Sequence, residues 1–93
     1  MSIPPHKLRD LTANAPIRET GNAAMSVVNA LSGRDSPGVR LLGIAAAFRQ
    51  MQRASGLSVF DLLGYADNAI HGHGSRRPEF AAVQEYIERE ILA

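Results

Sequence analysis

The side chains most able to do chemistry crowd into one short stretch, where His71 and His73 alternate with glycine in His71-Gly72-His73-Gly74-Ser75. Imidazoles bind zinc and related ions, but a metal centre needs three or four ligands and further groups that orient them. Asp67 lies four residues before His71, on the same face of any helix that carries both, and His6 is far away in sequence. Asp67 would join the two imidazoles only by chance of folding, and nothing in the sequence supplies the supporting groups, so neither metal nor cofactor is expected. His71 reads as a helix-end residue, where an imidazole suits the negative end of the helix dipole.

Nucleophilic and acid–base constellations are equally thin. Serine, histidine and aspartate all occur, yet the chain has no Gly-x-Ser-x-Gly elbow, no phosphate-cradling glycine loop and no His-Glu-x-x-His. It has no cysteine, which removes thiolate nucleophiles, thiolate metal sites and disulfides together. Glu79, Glu85, Glu88 and Glu90 fall on one predicted helix and read as a solvated acidic face. No catalytic residue is nominated, and the chain is expected not to be an enzyme.

Binding chemistry has more to work with. Arg40, Arg49 and Arg53 lie on one predicted helix that carries no acidic residue. Arginine stems commonly cover apolar neighbours, and arginine is also enriched where protein interfaces concentrate their energy. These three are the candidate partner-binding residues. A second possibility is DNA. The stretch from Phe48 to Ile70, with Gly56-Leu57-Ser58, resembles the opening of a phage-repressor helix-turn-helix, and Arg76 and Arg77 follow it. The spacing argues against that reading. Gly64 comes eight positions after Gly56, too early for the usual first helix, and Tyr65 to Ile70 contains Asp67 but no cation to meet phosphates. Arg76 and Arg77 are retained as nucleic-acid-binding candidates under this alternative.

The elements that must position these residues are all helical. Pro37 to Ile70 looks like the organising unit: Ser36 caps and Pro37 opens a helix to about Ala54, Gly56 ends it, and Ser58 with Asp61 opens a second. A short glycine-containing connection makes the two neighbours, a helical hairpin. In its first helix Leu41, Ile44, Ala45, Phe48, Met51 and Gln52 share the face expected to be buried, with Leu42 and Ala46 widening it. In the second, Val59, Leu62, Leu63, Ala66, Ala69 and Ile70 do so, with Phe60 at the edge.

Before this hairpin, Asn22 to Ser32 is an uncharged helix with Ala24, Val27, Val28 and Leu31 on one face, expected to be covered on several sides and ended by Gly33. After it, Pro78 opens a last helix whose Phe80, Val83, Ile87 and Ile91 recur at helical spacing. Residues 1–20, with Pro4, Pro5 and Pro16, form a partly ordered arm holding at most a short helix over His6 to Ala13 with Pro5 at its first position. The expected fold is therefore all-α: a compact bundle of four main helices, with a short extra N-terminal helix, in one domain over residues 21–93.

At 93 residues and 45% hydrophobic content the chain is long enough for one core, but only 5% of it is aromatic. A core made of many modest contacts is thin for a monomer of this size, so a homodimer is expected. Charge is segregated. Arg34, Arg40, Arg49 and Arg53 against Asp35 leave residues 34–53 at +3, while Glu79, Glu85, Glu88 and Glu90 against Arg89 leave residues 79–93 at −3. No run reaches the roughly 20 apolar residues of a membrane helix, and the first ten residues lack the apolar core of a signal peptide, so a cytoplasmic chain without a membrane partner is expected.

The hairpin, the Arg76-Arg77 loop and the ending Pro78-Glu79-Phe80-Ala81-Ala82-Val83 with Tyr86-Ile87 together resemble small all-helical proteins encoded by phages and prophages, over roughly residues 37–92. The resemblance implies a class of role and transfers no functional residue. Members with an assigned activity commonly bind and block a host protein, or bind DNA as small regulators. A non-enzymatic protein-interaction module is the expected function, with a small DNA-binding regulator as the alternative.

Overall fold

The computed structural model describes residues 3–33, 36–72 and 74–93. Its elements are α1 (Pro5–Ala13), α2 (Ile17–Leu31), α3 (Pro37–Ser55), α4 (Val59–His71) and α5 (Pro78–Tyr86). From Ile87 to Ile91 the last helix widens into a π-type turn, in which Leu92 N–H donates to Ile87 O at 2.9 Å across five residues. Among the described residues there is no strand, and the chain is all-helical as expected. The turn expected at Arg34-Asp35 and the second histidine of the loop, His73, lie outside the described residues.

Local chemistry sets the helix boundaries. Ser36 Oγ accepts from Val39 N–H at 3.3 Å and Ser58 Oγ from Asp61 N–H at 3.0 Å, each satisfying an orphan donor of a first turn. Pro5, Pro37 and Pro78 occupy first-turn positions, where a missing N–H costs nothing. Gly56 ends α3 in the left-handed conformation, at φ 76°. α1 runs from Pro5 to Ala13, with Pro5 at its first position as expected. One boundary differs from expectation: α2 begins at Ile17, because Pro16 immediately precedes its first turn and Glu19 favours the positive end of its dipole.

The closest helix packing is between α2 and α5, together with the π turn that follows α5. Gly21, the one buried residue of α2, lets the two backbones meet: a Cβ placed there would stand 2.8 Å from Glu79 Cβ. Phe80, Val83 and Ile91 are buried on the α5 side, and Tyr86 Oη donates to Asn29 Oδ1 at 2.8 Å. The molecule is therefore organised around α2 and α5. The α3–α4 hairpin, expected to hold that place, is set more loosely.

α3 explains why. Its apolar side chains are spread round the whole helix, so no single face compels burial, and none of its residues is buried. Leu41, Leu42 and Met51 are 56%, 70% and 73% exposed, although Leu41 and Met51 belong to the face expected to be core and Leu42, with the exposed Ala46, is expected to widen it. What fixes the hairpin is its turn. Gln52 Nε2 donates to Leu57 O at 2.7 Å, Ser55 Oγ accepts from Leu57 N–H at 3.1 Å, and Leu57 is buried beneath them. α1 lies on the same turn. The Pro5 ring sits over Gly56, and Arg9 Nε is 3.9 Å from Asp61 Oδ2. The N-terminal segment thus packs on its own chain. α2 also departs from expectation, since Asn22, Ser26 and Asn29 meet water without needing charge and the helix is mostly exposed.

The whole is a slab, 38 × 30 × 20 Å, with a radius of gyration of 14.0 Å. A compact chain of this length would have about 12 Å. Its accessible surface is 6759 Å² at 10.0 kDa, where a monomer of that mass presents about 5,200 Å². A slab two helices thick leaves every helix with an outer side.

Candidate interaction surface

The three arginines singled out in sequence are not brought together. Arg40 and Arg49 are nine residues apart, about two and a half turns, and so project to opposite sides of α3. Arg40 turns inward. Its Nη1 donates to Ile91 O at 2.9 Å and to Glu90 O at 3.2 Å, tying α3 to the carbonyl end of the last helix, where positive charge is favoured. Arg49 and Arg53, one turn apart, remain exposed on the outer side, and Arg49 Nη1 donates to Gln52 Oε1 at 3.1 Å. The outer side of α3 therefore carries Val39, Leu42 and Ala46 at helical spacing, continued by Arg49 and Arg53.

Arg76 and Arg77 also part company. Arg77 folds back over Gly72, where a Cβ would fall 2.8 Å from its Cζ, and its Nη2 lies 3.5 Å from Asn68 O at the end of α4. Its Nε is buried without a hydrogen-bond partner. Its backbone N–H donates to Ile70 O at 2.7 Å, so Arg77 serves to close the α4–α5 connection. Arg76 stays exposed. One free cation beside a loop gives little for a phosphate backbone to grip. His71 is exposed in the last turn of α4, and among the described residues no three metal-type side chains converge.

What sequence reasoning missed is the amount of apolar surface left open. Phe60 is 90% exposed and Leu63, one turn further along α4, is half exposed. Both sit near the end of α3 that bears Arg53, joined to it by the Gly56 turn. Of the eleven exposed large hydrophobic residues among those described, seven fall between Val39 and Leu63. A signal was present: apolar residues on every side of α3 exceed what one buried face can use. The helices also enclose open clefts of about 510 and 520 Å³ and a smaller one of about 280 Å³. The second is lined by Val28, Ile44, Ala69, Phe80, Val83 and Ile87, with little polar surface.

Comparison with family models, with curated proteins and with solved structures finds no match to this chain. Among the described residues no helix is long and apolar enough to cross a membrane.

Proposed function

We propose that this chain is a non-enzymatic protein-interaction module that acts as a homodimer in the cytoplasm. The phage and prophage proteins it resembles suggest that its target is a host protein whose action it modulates. The observation that carries this reading is the open apolar surface of α3 and α4, with an exposed aromatic at Phe60 on α4 and the exposed cations Arg49 and Arg53 on α3. Exposed aromatic and arginine side chains are the groups on which protein interfaces most often concentrate their energy. Large apolar side chains left in water also mark association sites when they are contiguous. Such a surface suits a partner with an apolar pocket rimmed by carboxylates.

The DNA-binding alternative draws on Arg76 alone, since Arg77 is spent on the α4–α5 connection. The test has two arms. Immobilised intact chain is expected to retain a specific protein from host lysate, and Phe60→Ser or the double change Arg49→Glu, Arg53→Glu is expected to reduce retention about tenfold or more. In a gel shift with random duplex DNA, no retardation is expected. Retardation that falls steeply with salt, together with unchanged retention by the variants, would replace this reading with the regulator.

A further inference from the structure

We infer that the outer side of α3 is a self-association surface, covered by α3 of a second copy running antiparallel across a two-fold axis. The inference rests on the interaction-module reading and assigns one partner to one face of it.

Area comes first. The chain exposes about 1,500 Å² more than a monomer of its mass should, obtained from 6759 Å² against about 5,200 Å². Each partner in a standard-size complex gives up about 800 Å². Self-contact on α3 would absorb about half of the excess and leave Phe60 and Leu63 of α4, together with the guanidinium heads of Arg49 and Arg53 whose stems edge the seam, for the foreign partner. α3 is where the excess is most concentrated. It has no buried residue; Val39 and Leu42 of its outer side are exposed, and Leu41, Phe48 and Met51 are exposed on its other sides.

A second copy is the occupant that the fold itself calls for. The buried hydrophobic core is Leu57, Phe80, Val83 and Ile91, with the first at one end of the slab's hairpin and the other three under α2 and α5. A core this small calls for reinforcement at folding, and the partner always present at synthesis is the same chain.

Charge sets the direction. From Pro37 to Phe48 the only charged residue of α3 is Arg40, which is engaged with Glu90 O and Ile91 O, so this stretch offers the uncharged centre typical of dimer interfaces. Arg49 and Arg53 lie beyond it. Ala46 is the midpoint of α3. If the antiparallel pair crosses there, the two Arg49 side chains are roughly 9 Å apart along the axis and the two Arg53 roughly 21 Å, at about 1.5 Å per residue. Those separations exceed the Debye length of about 8 Å at physiological salt. A parallel pair would set like charges side by side. In the antiparallel pair the arginine stems instead lie over Leu42 and Val39 of the second copy. Ala46, with no side chain beyond its Cβ, lets the backbones approach at the crossing.

The test uses the intact chain, which has no native cysteine, so single-cysteine variants report one position each. Sedimentation equilibrium at micromolar concentration is expected to give twice the 10.0 kDa chain mass. Leu42→Glu is expected to raise the dimer dissociation constant at least about tenfold, and Phe60→Ser to leave it unchanged. Should Leu42→Glu fail to fold, the cysteines decide: Ala46→Cys is expected to oxidise to a covalent dimer and Val27→Cys, on α2, is not. Wild-type mass equal to one chain, or crosslinking through Val27→Cys with none through Ala46→Cys, overturns the proposal. A monomer that still retains a host protein through Phe60 would refute self-association and leave the interaction-module reading standing.

Discussion

At the scale of single residues, Gly21 has a role out of proportion to its size. Replacing a helical glycine by alanine ordinarily gains about 1 kcal/mol. Here the new methyl meets Glu79 Cβ at 2.8 Å, an atom fixed directly to the α5 backbone, and overpacking costs about 1–3 kcal/mol. Gly21→Ala is therefore expected to destabilise the fold by up to about 2 kcal/mol, measured by urea denaturation; a gain in stability would show that α2 and α5 move apart freely. This residue was illegible in sequence because it stands just before Asn22, where the expected helix began. A glycine adjoining a helix reads as a boundary until the partner backbone is known. Arg40 and Arg77 were misleading for a related reason. Both carry the charge that suggests a partner, and both spend it on carbonyls of their own chain.

At the scale of elements, the helix starts and stops were legible because capping chemistry spans three or four residues. Ser36, Ser58, Pro37, Pro78 and Gly56 all act where they were expected to. The buried face of the last helix was legible too, since Phe80, Val83 and Ile91 repeat at one period and nothing competes with them. α3 was not, because a helix apolar on every side gives no preferred face from its own sequence. The order it has comes from its C-terminal turn, where Gln52, Ser55 and Leu57 interlock. Leu57→Ala is expected to cost about 2–5 kcal/mol, with loss of protection of the α3–α4 turn amides in hydrogen exchange. A cost under about 1 kcal/mol would mean that the small cleft beside it collapses on truncation. Phe48, 39% exposed, is expected to cost less than Leu57 on the same change.

At the scale of the whole molecule, the sequence conveyed a thin core through its scarce aromatics, and the slab gives that expectation a shape. Helices laid two deep each keep an outer side in water, which leaves 6759 Å² exposed. The same geometry that limits the stability of one chain supplies the surface on which a partner docks, so stability and interaction are coupled through α3 and α4. Binding that occurs only in the folded state adds to stability by mass action. The most direct measurement is the urea unfolding midpoint of the intact chain at a series of protein concentrations. The midpoint is expected to rise with concentration, because each folded pair is favoured over two unfolded chains. A midpoint that does not move from nanomolar to high micromolar protein would contradict the account, since it would show that one chain alone supports this fold and that its open apolar surface recruits no second copy.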